Sequence, residues 1–261
     1  MSGFCYQRHR DLRHFRAEMK SLVYIFLLML GCGMTGALTR EYIFVNIPIS
    51  WQDARSYCRK LYRDLATVTT TEEKNSLLQT VTGGGHWIGL RRTGTTWTWS
   101  DGEQYSFMNW YSGQPYFSYI GNDCGSLGTE HTTFWVNYNC QDQRKFLCYR
   151  FLILVKEKKT WEEARDYCRS TYTGLASVTS KSSLRQLKLE TIQTETESVW
   201  TGLSFVDGKW LWVSVETLGD LVSMSSQCPA PPQNCGSLNT TTNTLNIHNC
   251  NDKLNFVCYW K

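Results

Sequence analysis

Apolar positions follow two different periods along this chain. Residues 42–45 (Tyr-Ile-Phe-Val) form a short continuous apolar run, and just after it Trp51, Ala54, Tyr57, Cys58 and Leu61 recur at helical spacing. The run predicts a strand. The recurrence predicts a helix with one inward face, started by Ser50 as N-cap with Asp53 three residues on. Residues 70–81 (TTEEKNSLLQTV) predict a second capped helix with Leu77, Leu78 and Val81 inward. The helical period then disappears. Short β-rich pieces separated by Gly, Asn and Ser turns replace it, as in HWIGLRR and TWTWSDG. A second apolar run at 151–155, bounded by Arg150 and Lys156, is too short to cross a bilayer and predicts a buried strand. A helix start follows it, in which Thr160 and Glu163 have the spacing of a capping box.

The same pattern is thus written twice. SWQDARSYCRKLYRDLATVTT (50–70) returns as TWEEARDYCRSTYTGLASVTS (160–180), with Trp, Ala, Tyr, Cys, Leu and Ala matched at an offset of 110. WIGL (87–90) returns as WTGL (200–203), and WTW (97–99) as WLW (210–212). Cys124, Cys140 and Cys148 return as Cys235, Cys250 and Cys258. A period this long means two tandem domains of α+β class, not a solenoid. Their expected extents are 40–149 and 150–261.

Residues 1–37 read differently. Arg8, Arg10, Arg13, Arg16 and Lys20 precede an apolar core at Leu22–Leu30 and a run of small residues to Ala37, the layout of a secretory leader. The expectation is a secreted protein. The alternative is a signal anchor and a type II membrane protein, because Ser21–Leu38 is uncharged and could just span a bilayer. Met19 is a second candidate start. Beyond the leader, 22 basic residues face 21 acidic ones. A body so close to neutral has no long-range field for nucleic acid, which drops out as a partner.

Of the 11 cysteines, Cys5 and Cys32 lie in the leader, and four recur in each repeat. In a secreted chain these predict disulfides, while no spacing suits zinc. Four cysteines permit three pairings, and the repeats alone do not choose among them. Together, the helix with its Trp, Ala, Tyr-Cys pattern, the WIGL and WTGL strands and the cysteine spacing resemble the C-type lectin-like domain, over nearly all of residues 40–261. The resemblance implies two helices, twisted antiparallel sheets and a long loop region in each domain. It also implies the bridges Cys58–Cys148, Cys124–Cys140, Cys168–Cys258 and Cys235–Cys250.

In that family a calcium ion ligates the sugar, and the resemblance places its ligand slots at Gln114, Tyr116, Asn122, Val136 and Asn137. Calcium takes six to eight oxygens, several of them carboxylates. None of the five slots holds a carboxylate, and Asp123 is one residue out of place. The expectation is therefore no cofactor, and an extracellular glycan or protein ligand held by the long loop of the first domain. The candidate contacts are Gln114, Tyr116, Phe117, Tyr119, Asn122, Asp123 and Asn137. The alternative is a calcium-dependent lectin with a rearranged ligand set at Gln114, Asn122, Asp123 and Asn137.

Trp87, Trp97, Trp99, Trp110 and Trp135 are expected in the core. In the second copy, Cys228 has no counterpart and leaves the mature count odd, which points to a disulfide-linked dimer or a free thiol. Asn239 opens the sequon Asn-Thr-Thr in what reads as a loop, a glycosylation acceptor. No nucleophile elbow, phosphate loop or paired metal ligand is present, so nothing suggests an enzyme.

Overall fold

A computed structural model describes residues 38–261 except 82, 117–122, 129–132, 215, 217 and 219–228. Cys5, Cys32 and the leader lie outside the described residues.

The first domain opens with β1 (Thr39–Ile49) and continues through helix α1 (Trp51–Leu61), β2 (Asp64–Leu65), helix α2 (Thr71–Leu78), β3 (Trp87–Thr93), β4 (Thr96–Trp99), β5 (Asp123–Leu127) and β6 (Trp135–Asn139). It ends in β7 (Arg144–Lys159), and that strand does not stop at the domain boundary. Its second half is the opening strand of the second domain. That domain adds helix α3 (Trp161–Thr171), β8 (Gly174–Leu175), helix α4 (Lys181–Glu190), β9 (Ser198–Val206), β10 (Lys209–Trp212), β11 (Cys235–Asn239), β12 (Thr244–His248) and β13 (Leu254–Trp260).

β1 pairs antiparallel with β7 from Ile49↔Arg144 to Thr39↔Leu152. β13 pairs antiparallel with its other half, from Trp260↔Phe151 to Leu254↔Lys159. Phe151 and Leu152 are thus paired on both sides, and the two domains share one sheet. Between the strands named, pairing is antiparallel except where β3 meets β7 at Trp87↔Phe146 and, equivalently, β9 meets β13 at Asn255↔Val199 and Phe256↔Trp200. The apolar run at 151–155 is buried as expected, but the strand around it is 16 residues long.

Matching residues perform matching tasks in the two copies. Ser50 and Thr160 cap α1 and α3, and Thr160 with Glu163 completes the capping box. The indole N–H of Trp51 donates to the carbonyl of Ile88, and that of Trp161 to Thr201, both at 2.8 Å. Trp87 and Trp200 donate to Ile49 and Lys159, tying the central strand to the end of the opening one. The four bridges are Cys58–Cys148, Cys124–Cys140, Cys168–Cys258 and Cys235–Cys250, the pairing that the resemblance implies. Gly125 and Gly236, each following a bridged cysteine, leave no room for a side chain. A Cβ there would stand 2.5 Å from the Cβ of Leu90 or Leu203.

Three expectations need correction. Leu61 is not on the inward face; it is 46% exposed at the last position of α1, and Trp51, Ala54 and Cys58 form the buried stripe. α2 stops at Leu78 instead of reaching Val81. Among the tryptophans, Trp87, Trp99 and Trp135 are fully buried, whereas Trp97 and Trp110 are half-buried and pack on each other at 4.7 Å. The second helix that the resemblance implies for the second domain is α4, which Ser180 caps.

A buried ion cluster sits where the domains join. Arg150 Nε lies 2.5 Å from Glu41 Oε2, directly across the β1–β7 ladder, and its Nη1 lies 2.9 Å from Glu216 Oε1. Nη2 donates to Ser177 Oγ, and the guanidinium stands 4.5 Å from the Tyr259 ring centroid. Burial alone would lower the Arg150 pKa, but Glu41 and Glu216 outweigh it and hold the group above its ordinary value. α4 adds a second seam: Gln186 accepts from the Tyr42 backbone N–H of β1 and donates to Ser76.

Candidate functional site

The long loop of the first domain leaves β4 at Trp99 and returns at Asp123. Aromatic packing and a few backbone bonds hold its first half. Trp110 forms an isolated bridge with Trp135, Trp135 N–H donates to Asn109 O, and Tyr111 N–H donates to Trp135 O. The rings of Trp99, Phe107 and Trp110 surround Trp135 with centroids 5.4, 5.7 and 5.9 Å away. The Tyr105 hydroxyl accepts from the Trp110 indole; burial raises its pKa, and that bond works in the opposite direction. An aromatic floor of this kind gives a polar loop a fixed base.

On that base the Gln114–Pro115 bond is cis. Tyr116 follows it, and its main chain is clasped from both sides by one amide. Asn137 Oδ1 accepts from Tyr116 N–H and Asn137 Nδ2 donates to Tyr116 O, both at 2.8 Å. Gln114 Oε1 accepts from Tyr116 N–H at 3.2 Å and from Asn137 N–H at 3.4 Å. The two amides therefore hold the loop to β6, and the Tyr116 ring, 67% exposed, projects from the clasp. Asp123 is elsewhere in character: it is 3% exposed, and Arg92 Nη2 of β3 lies 2.7 Å from its Oδ2. The structure brings Gln114, Tyr116 and Asn137 together and sets Asp123 apart beneath them. Phe117, Tyr119 and Asn122 lie outside the described residues.

These contacts bear on whether calcium fits. The amide oxygens of Gln114 and Asn137 already accept backbone N–H groups, Val136 is aliphatic, and the Asp123 carboxylate is buried against a guanidinium. A calcium ion needs six or more oxygens with negative charge among them. The described residues do not fit it. Arg92 is the residue that sequence reasoning missed, since only the β3–β5 pairing brings it beside Asp123.

In the second domain a cis bond occurs at Pro231–Pro232, with proline in place of the preceding glutamine. Cys228 lies outside the described residues. Asn239 is not in a loop: it ends β11 and is 9% exposed. Its Nδ2 donates to Glu197 Oε1 at 3.1 Å and its Oδ1 accepts from the N–H groups of Thr241 and Thr242. A glycan on Nδ2 would have to displace that arrangement. Asn239 is expected to be unmodified, so digestion with an N-glycanase should leave the mass of the protein expressed through a eukaryotic secretory pathway unchanged; a loss of one glycan mass would overturn this.

A model described as "Lectin C-type domain" matches residues 47–150 and again 157–260. The chain belongs to the C-type lectin domain family. Its similarity to longer curated proteins is moderate: it is 26% identical over 256 residues to C-type mannose receptor 2 of Homo sapiens, covering 80% of this chain and 17% of that protein. It is 22% identical over 251 residues to the secretory phospholipase A2 receptor of Pongo abelii, with the same shares. The chain thus spans about a sixth of the length of these relatives. Human lithostathine, a solved structure, is 26% identical at a TM-score of 0.40, covering 44% of this chain and 94% of that one. Among the described residues no helix of these C-type lectin domains is long and apolar enough to cross a membrane.

Proposed function

We propose that this is an extracellular, non-enzymatic recognition protein whose first C-type lectin domain grips a glycan or protein ligand by the long loop, without calcium. The observation that carries the reading is the clasp: Asn137 and Gln114 spend their polar atoms on holding the Tyr116 backbone, and the ring is left facing solvent. A tyrosine whose backbone is already fixed loses little conformational freedom on contact, and its ring suits both a sugar face and a protein surface. Four disulfides favour an oxidising, extracellular setting. The names of the relatives point the same two ways, one to mannose and one to a secreted protein, phospholipase A2.

A glycan array probed with and without a calcium chelator, followed by partner capture from extracellular fluid, tests the reading. Binding should survive chelation, and Tyr116→Ala should weaken it by roughly tenfold or more, the cost of losing an interface anchor. Chelator-sensitive binding to mannose- or galactose-type sugars would overturn the proposal and restore the rearranged calcium site.

A further inference from the structure

Four arginines of the first domain gather with little acid to balance them. Arg55 and Arg59 lie one turn apart on α1, a rise of about 6 Å, and Arg63 follows just past its extended cap at Tyr62. Arg55 Nη2 and Arg59 Nη2 both donate to the single carbonyl of Ser100, at 3.3 and 2.8 Å. Arg55 and Arg91 stand 6.0 and 5.6 Å from the same Trp51 ring centroid. Like charges have thus been drawn to shared anchors. The Arg55 pKa is lowered by burial first and then by Arg59, with Arg91 adding to it and Asp64 opposing. Arg63 lies 4.9 Å from the Trp260 ring centroid of the second domain, which steadies it without using its donors.

At the Arg63 end lies a cleft of about 370 Å³, lined by Arg59, Tyr62, Arg63, Asp64, Asp101 and Lys261. Both of its acids are engaged. Asp64 is buried, pairs with Arg59 at 2.8 Å and accepts from Ser100 Oγ. Asp101 accepts from the Tyr149 hydroxyl and the Glu103 N–H. Among the described residues Arg63 and Arg91 have no ion-pair partner, and both are exposed.

We infer that the ridge Arg91–Arg55–Arg59–Arg63, with the cleft at its end, docks a linear sulfated polysaccharide. The guanidinium fork matches the paired oxygens of a sulfate, and several forks side by side on α1, the segment after it and β3 match a chain that repeats its anions. Duplex DNA and anionic membranes are served by a broad positive field, which a body of 22 basic and 21 acidic residues lacks. The inference uses the extracellular placement proposed above but not Tyr116.

The test is binding of the full protein to immobilised heparin over a range of salt. Wild type should bind in a salt-dependent way, and R63Q/R91Q should bind about tenfold more weakly, since each exposed charge contributes modestly. R63K/R91K, which keeps the charge, should retain more binding than the glutamine pair and guards against a folding artefact. Tyr116→Ala should bind heparin like wild type, so a failure here is distinct from a failure of the loop reading. No heparin binding, unchanged binding by R63Q/R91Q, or equal capture by desulfated heparin, duplex DNA or phosphatidylserine vesicles would overturn it.

Discussion

Arg150→Met is expected to destabilise the protein by about 3–5 kcal/mol, read as a lower urea midpoint by tryptophan fluorescence. Glu41 is 1% exposed and faces Arg150 across the β1–β7 ladder, so the substitution leaves a carboxylate buried without its counter-charge. The effect crosses the domain boundary, because the same guanidinium holds Glu216 and Ser177 of the second domain. Adding Glu41→Gln should recover part of the loss, since removing both charges costs less than stranding one. A midpoint unchanged by Arg150→Met would show that the cluster contributes nothing to holding the domains together.

Replacing Cys58 and Cys148 by alanine should cost roughly 4–5 kcal/mol, and the same change at Cys124 and Cys140 roughly 3 kcal/mol, on the loop-entropy account. The first bridge spans 90 residues and joins α1 to β7; the second spans 16 and joins β5 to the turn just after β6. Cys168–Cys258, which also spans 90, should match Cys58–Cys148 in size of effect. Differential scanning calorimetry of the three double variants ranks them. Equal or smaller losses at the 90-residue bridges would sink the entropic account in favour of local packing.

Much of this was legible in the sequence, and the residues show why. The two caps, the tryptophans that anchor the core and the bridged cysteines recur at fixed offsets, and each does its work within a few residues or by a pattern that the repeat doubles. What escaped depends on register between distant strands. Arg150 looks like the polar edge of a five-residue apolar run, yet the strand continues through it and the β1–β7 pairing buries it opposite Glu41. Asp123 looks like a spare calcium ligand until β3 places Arg92 beside it. Asn239 satisfies a three-letter motif, which carries no information on whether the amide is already hydrogen-bonded. The near-neutral total hides the arginine ridge, since a sum of charges is blind to where they lie.

The strand that serves both domains also fixes a distance. Arg144–Lys159 is one unbroken strand of 16 residues, on the order of 50 Å end to end. Modules joined by a flexible tether sample a range of separations, and avidity then depends on tether length. Here no tether exists, so a ligand that touches both domains meets a ruler: epitopes at the matching spacing gain the full bivalent advantage, and stiff ligands with any other spacing gain none.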